Sequence, residues 1–209
     1  MDLSDPMSAV IPSLEGQVLR VLAGTSHPLT ASTVARLVSR GSVPGVRVAL
    51  RRLTEVGTVL QDQVGRQYEY RANRAHAAWP AIQSAVDFAD GFSASLDAEI
   101  ARRVTGTAGT GGVTCAVFGS TARGTAREDS DVDLVLVVPD DAPPALGEEL
   151  SRRLTEDIAS FTGNAVNVLL LSTGQRDEMV ARDDGLVRSW HAEARTVHGP
   201  DLLPALRRR

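Results

Sequence analysis

The stretch GSTARGTAREDSDVDLVLVV, residues 119–138, constrains this chain more than any other. A Gly-Ser pair leads through a polar segment to two carboxylates one residue apart, Asp131 and Asp133, and then to an unbroken apolar run from Leu134 to Val138. Such a run bounded by polar residues predicts a buried strand. Charge at the edge of a core costs free energy unless it is paired or coordinates a metal. Side chains alternate along a strand, so Asp131 and Asp133 share a face and repel each other unless a cation lies between them. Hard oxygen ligands at a strand end suit Mg²⁺ or Mn²⁺. At Gly119-Ser120 a glycine permits close backbone approach, and an amide N–H beside a serine hydroxyl makes a seat for an anion. Phosphates in that seat would lie near the metal.

The bulk numbers limit what surrounds this motif. At 209 residues the chain holds one large domain or two small ones, and 43% hydrophobic with 23% charged residues is ordinary for a soluble globular protein. No stretch approaches the roughly 20 apolar residues that span a bilayer, and MDLSDPMSAV lacks the basic and apolar regions of a signal peptide. A cytoplasmic location with no membrane partner is expected. The single cysteine, Cys115, excludes an internal disulfide and a Cys-based zinc site. All 22 basic residues are arginine, which excludes Schiff-base chemistry and a lysine base. From Ser13 to Arg74 nine arginines face four acids, a balance of +5; from Val113 to Asp201 eight face sixteen, a balance of −8. Two parts with different partners are implied: a polyanion for the first and a metal for the second.

The segment TGTAGTGG, residues 105–112, predicts a flexible linker. Before it, three short helices are expected. Leu14, Val18, Leu19 and Leu22 form the stripe of the first, closed by Gly24; Thr30 opens the second, with Val34, Leu37 and Val38 on one face and Gly41 as stop; Ser42 caps the third, with Val46, Ala49, Leu50 and Leu53 buried. TVLQDQ and RQYEYRA then predict a hairpin turning at Val64-Gly65-Arg66. Residues 76–104 predict a helix striped by Trp79, Ile82, Val86, Phe88 or Ala89, Phe92, Leu96 and Ile100, with Gly91 as a candidate break. Its stripe fits either a homodimer interface or packing on its own chain.

Residues 13–74, on the pattern LTASTVARLV…VRVALRRLTEVGTV…YEYR, resemble a winged helix-turn-helix of bacterial transcription regulators. The resemblance implies that the third helix presents Arg47, Arg51 and Arg52 to the major groove of double-stranded DNA, with Arg66 and Arg71 of the wing on backbone phosphates. A protein-binding winged helix with a solvated arginine face is the alternative.

Over residues 113–200, the strand VTCAVFG followed by GSTARGTAREDSDVDLVLVV resembles the minimal nucleotidyltransferase domain of the DNA polymerase β-like superfamily. That likeness implies that Gly119 and Ser120 hold nucleoside triphosphate, with ATP as the expected substrate or ligand. Asp131 and Asp133 would bind two Mg²⁺ (or Mn²⁺) ions that promote attack at the α-phosphorus and loss of pyrophosphate. Arg123 and Arg127 either neutralise phosphate or pair with Glu128 and Asp129. The chain departs from the superfamily pattern on NAVNVLLLS, residues 164–172, where Asn167 stands in place of a third carboxylate. An amide oxygen can ligate Mg²⁺, but it carries no charge and cannot act as a base. Another acid (Glu128, Asp129 or Asp177) fills the gap in space, or chemistry proceeds with two aspartates, or nucleotide is bound without turnover.

Other candidates are weaker. His27, His76, His191 and His198 lack metal-ligand spacing, AVFGSTA lacks the second glycine of a nucleophile elbow at Ser120, and the tail DLLPALRRR is by default solvated. The expected protein is α+β: a winged helix-turn-helix over 1–75, a linking helix over 76–104, a linker over 105–112 and a nucleotidyltransferase-like domain with a mixed, helix-flanked sheet over 113–209. The expected function is transfer of NMP from Mg-NTP to a hydroxyl of a protein, RNA or small molecule, the last including antibiotic modification. The alternative is a DNA-binding regulator whose degenerate transferase domain binds only nucleotide or a partner.

Overall fold

The computed structural model describes residues 1–107 and 111–203 and divides the chain into two compact units, Asp5–Phe92 and Met1–Ser4 with Ser93–Arg209. In the first, α1 (Leu14–Ala23), α2 (Ala31–Leu37) and α3 (Val43–Val56) precede the hairpin of β2 (Val59–Val64) and β3 (Gln67–Ala72). The caps follow the sequence: Thr30 accepts from the Thr33 N–H, Ser42 accepts from the Gly45 N–H, and Gly57 closes α3 at φ 88. The two-residue turn Gly65-Arg66 joins the strands, with Gly65 at φ 62. A two-residue strand that the sequence did not signal, β1 (Leu29–Thr30), pairs with β3, giving the order β1-β3-β2. Val18, Leu22, Val34, Val46 and Leu50 are fully buried in one core, so the helices and hairpin take the three-helix-plus-wing order expected. One stripe residue departs from expectation. α2 stops at Leu37, which is 58% exposed, because Val38 already has extended backbone.

α4 (Trp79–Thr105) runs unbroken through Gly91, where an added Cβ would meet nothing within 4 Å. The candidate break is absent because the helical ladder tolerates an isolated glycine at a cost of about 1 kcal/mol. Ala89 is the buried member of the Phe88/Ala89 pair, and Phe88 is exposed. The division between the units falls after Phe92, inside this helix. Of the segment read as a linker, Thr105 is the last residue of α4 and Gly111-Gly112 form a turn, while residues 108–110 lie outside the described residues. The arginine tail beyond residue 203 lies outside them too.

The second unit is built on a mixed four-stranded sheet of order β6-β5-β4-β7. Its strands are β4 (Thr114–Phe118), β5 (Val132–Val138), β6 (Val166–Ser172) and β7 (Arg195–His198). Only the β5–β6 pair is parallel; α6 (Pro144–Thr162) makes the crossover that such a pair requires. Val135 and Val137 of β5 pack with Ala116, Leu171, Val187 and Trp190. Leu134 and Leu136 alternate with them and are fully buried as well, as are Leu150, Leu154 and Ile158 of α6. Two short helices, α7 (Thr173–Ala181) and α8 (Gly185–Glu193), follow β6. Burial on both faces fixes β5 as a central strand, and its leading residues therefore come out at one end of the sheet, flanked by β4 and β6.

Candidate active site

Register assembles the site. Asp133 is opposite Phe118 of β4 on one side and Asn167 of β6 on the other, so the residue after Phe118, Gly119, and the odd amide of β6 both converge on the carboxylates. Asp131 is exposed, one residue before β5, and Asp133 is half-buried within it. The Asn167 Nδ2 donates to Asp131 Oδ2 at 3.0 Å and to Asp133 Oδ1 at 3.2 Å. One amide group thus bridges the two like charges that the sequence predicted would need a cation between them.

The Gly-Ser turn packs directly on this pair. Gly119 begins α5 (Gly119–Arg123) at φ 70, and a Cβ there would sit 2.5 Å from Asp133 Oδ2. Only glycine meets both demands without strain. Gly124, at φ 69, closes the turn by donating to the Ser120 and Thr121 carbonyls, and Thr121 Oγ1 donates to the Asp131 carbonyl at 3.4 Å. The descending loop is pinned by the Arg127 N–H donating to Ser130 Oγ at 2.8 Å and by Asn164 Nδ2 donating to the Ser130 carbonyl at 2.9 Å.

Glu193, the last residue of α8, was not singled out in the sequence. It accepts from the Gly119 N–H at 3.1 Å and from Ser189 Oγ at 2.7 Å, and it pairs with the Arg123 guanidinium. These bonds, Arg123 first and Ser189 second, hold its carboxyl below the usual range. Arg123 therefore pairs with Glu193 rather than with Glu128 or Asp129, and Arg127 makes no ion pair among the described residues. Asp177 is taken by the neighbouring Arg176 at 2.7 Å. Among the described residues no group of three His, Cys, Asp or Glu side chains is placed to hold a metal, so of the three alternatives for the missing carboxylate the one with another acid beside Asp131 and Asp133 finds no support there. The oxygen donors available are Asp131, Asp133 and the Asn167 amide, a hard set that fits a magnesium-like cation once the amide turns its Oδ1 inward. Cys115 of β4, opposite Leu136, is sealed, its thiol pushed up to about 12 by burial, which removes it as a nucleophile.

In the first unit, Arg47 of α3 and Arg66 of the hairpin turn line one cleft of about 430 Å³ with Tyr68 and Tyr70. Neither arginine has an ion pair among the described residues. Arg52 instead reaches Glu15 of α1 at 3.1 Å, Arg71 crosses to Asp62 at 3.3 Å, and Arg51 lies 3.9 Å from Glu55. The five expected DNA-binding arginines thus divide into two that share a cleft and three that are occupied on the surface.

Residues 101–190, within the second unit, match the family model described as "Nucleotidyltransferase domain". Glu193 lies three residues beyond that match. Among solved structures, a toxin–antitoxin with AMP-PNP is similar at 18% identity and a TM-score of 0.34, over 50% of this chain and 74% of that one. TrmBL2, an archaeal chromatin protein whose structure shows a novel mode of DNA binding, is similar at 16% identity and a TM-score of 0.30, over 89% of this chain and 76% of that one. Both scores are too low to establish a shared fold. No curated protein matches the sequence. No described helix is long and apolar enough to cross a membrane.

Proposed function

We propose that the protein binds DNA through its first unit and, in its second, transfers NMP from a nucleoside triphosphate, with ATP the expected donor, to a hydroxyl acceptor. The observation that carries the transfer reading is the convergence of Asp131, Asp133 and Asn167 on the Gly119-Ser120 turn at one end of the sheet. The acceptor oxygen forms a bond to the α-phosphorus as the bond to the pyrophosphate oxygen breaks. The acceptor proton passes to a site carboxylate or to water. Ser120 and the backbone of the turn that Gly119 opens hold the departing phosphates, the Gly119 N–H itself being taken by Glu193, while Arg123 and Arg127 offset their charge. A divalent cation on Asp131, Asp133 and the Asn167 oxygen would supply neutralisation of the triphosphate and of the charge developing at phosphorus.

A second reading is favoured by the two hydrogen bonds from Asn167. Because the amide offsets the aspartates without metal, the domain could hold a nucleotide for sensing while Arg47 and Arg66 hold DNA. Label transfer separates the two. The protein is incubated with each α-³²P-labelled NTP, Mg²⁺ or Mn²⁺, and lysate as acceptor, beside an Asp131→Ala/Asp133→Ala control. Label on an acceptor only with intact aspartates is the expected result. Metal-dependent nucleotide binding without any transfer would instead establish the sensor.

A further inference from the structure

Glu193 stands outside the family match, yet it touches the phosphate-binding turn at both ends. Its Oε1 accepts the Gly119 N–H at the start of α5 and its Oε2 takes Arg123 at the close, while Ser189 Oγ steadies it one turn back on α8. The Glu193 side chain is only 10% exposed, though its Arg123 partner is half exposed, and the bonds are charge-assisted, which makes them strong for their number. Gly119 is where the turn is least tolerant of movement. Its φ is positive and its Cα abuts Asp133, so any shift of the turn moves the phosphate seat relative to the carboxylates. Arg123 engages Glu193 through its NH1, leaving Nε and NH2 to donate elsewhere, so pairing orients the guanidinium without consuming it.

We infer that Glu193 is a positioning residue, supplied by α8, that holds Gly119 and Arg123 in the geometry that receives the triphosphate. This inference rests on the reading of Gly119-Ser120 and Arg123 as the phosphate seat. The opposite role, an internal anion that blocks the seat, makes the opposite prediction for the same variant. Displacing a carboxylate already satisfied by three partners would be costly, which argues for the clamp.

The test compares full-length wild type, Glu193→Gln and Ser189→Ala. Gln keeps the shape and an acceptor for Gly119 but loses the negative charge that faces Arg123. Ser189→Ala only loosens Glu193, and it remains informative should Glu193→Gln fold poorly. Binding of α,β-methylene-ATP with Mg²⁺ is measured with the melting temperature and with amide exchange at residues 118–124. The expected result is binding about tenfold weaker in Glu193→Gln and a few-fold weaker in Ser189→Ala, the scale of a charged and a neutral hydrogen bond respectively. Exchange should quicken in the same order, with melting little changed. Equal or tighter binding by Glu193→Gln, or unchanged exchange at the turn, overturns the inference while leaving the functional reading in place. A wild type that binds no nucleotide overturns both.

Discussion

At the scale of single residues, Asn167 carries the amide that touches both aspartates. Its amide satisfies both aspartates, so Asn167→Asp removes two hydrogen bonds and sets a third negative charge beside them. The variant should lose about 1 kcal/mol of stability in chelator, the net worth of a typical hydrogen bond, since water can solvate both carboxylates where these exposed bonds are lost. In Mg²⁺ it should regain that loss, because a ligand that binds only the native state stabilises it. Melting curves with EDTA and with Mg²⁺ check this: wild type is expected to respond weakly to the metal and the variant strongly. If the variant melts alike in both, the three positions do not form a cation site. The position of Asn167 was legible because β6 carries one polar residue in an apolar run and the superfamily pattern names that place. Glu193 was not legible, since it lies 74 residues from Gly119 in sequence and ends an amphipathic helix like any solvated acid. What identifies it is three donors converging on one carboxylate, which only the folded chain can bring together.

At the scale of elements, caps, stripes and the hairpin turn followed from local chemistry, and the departures came from tertiary context. Leu37 matches the helical period of Val34 and Val38, but α2 ends at that residue, so periodicity overran the helix. β1 is too short to leave a sequence pattern and exists only because β3 offers it an edge. The same context sorts the arginines. Expectation placed Arg47, Arg51 and Arg52 together on one helix, yet Arg52 turns to α1 while Arg47 faces the wing across the Tyr68–Tyr70 cleft. DNA affinity should therefore fall most for Arg47→Ala and Arg66→Ala. Each should lower the slope of log K against log salt by about one, as expected for one lost phosphate contact. Arg52→Ala, which gives up an exposed pair worth about 0–1 kcal/mol, should change neither much. Fluorescence anisotropy on a random-sequence duplex across a salt series measures both quantities. Equal losses for all three variants would mean that net charge, rather than the cleft, holds the DNA.

For the molecule as a whole, the absence of lysine shapes how stability responds to pH. On the acid side, Glu15, Glu99, Asp140 and Glu193 have carboxyls held below their ordinary values, chiefly by hydrogen bonds from Ser13, Arg102, Ser172 and Arg123 respectively. A carboxyl lowered in the folded state contributes stability that is fully present above its unfolded value and lost as pH falls through its folded one. Stability should thus hold down to the ordinary Glu value of 4.5 and decline below it. On the alkaline side no lysine titrates, which brings groups buried in their neutral form to the fore. Cys115 is pushed from 9.0 up to about 12, and Tyr70 is also raised, both by burial first of all. A folded value raised above the unfolded one keeps its stabilisation below the unfolded value and loses it as pH rises through the folded one. Unfolding in urea from pH 3 to 11 should therefore trace a plateau bounded near the ordinary carboxyl and thiol values, 4.5 and 9.0. Cys115→Ala should sit below wild type on the plateau, because it empties space in a packed strand core, but it should show a shallower alkaline fall. An alkaline limb as steep as that of wild type would assign the loss to Tyr70 and to arginine pairs rather than to the Cys115 thiol.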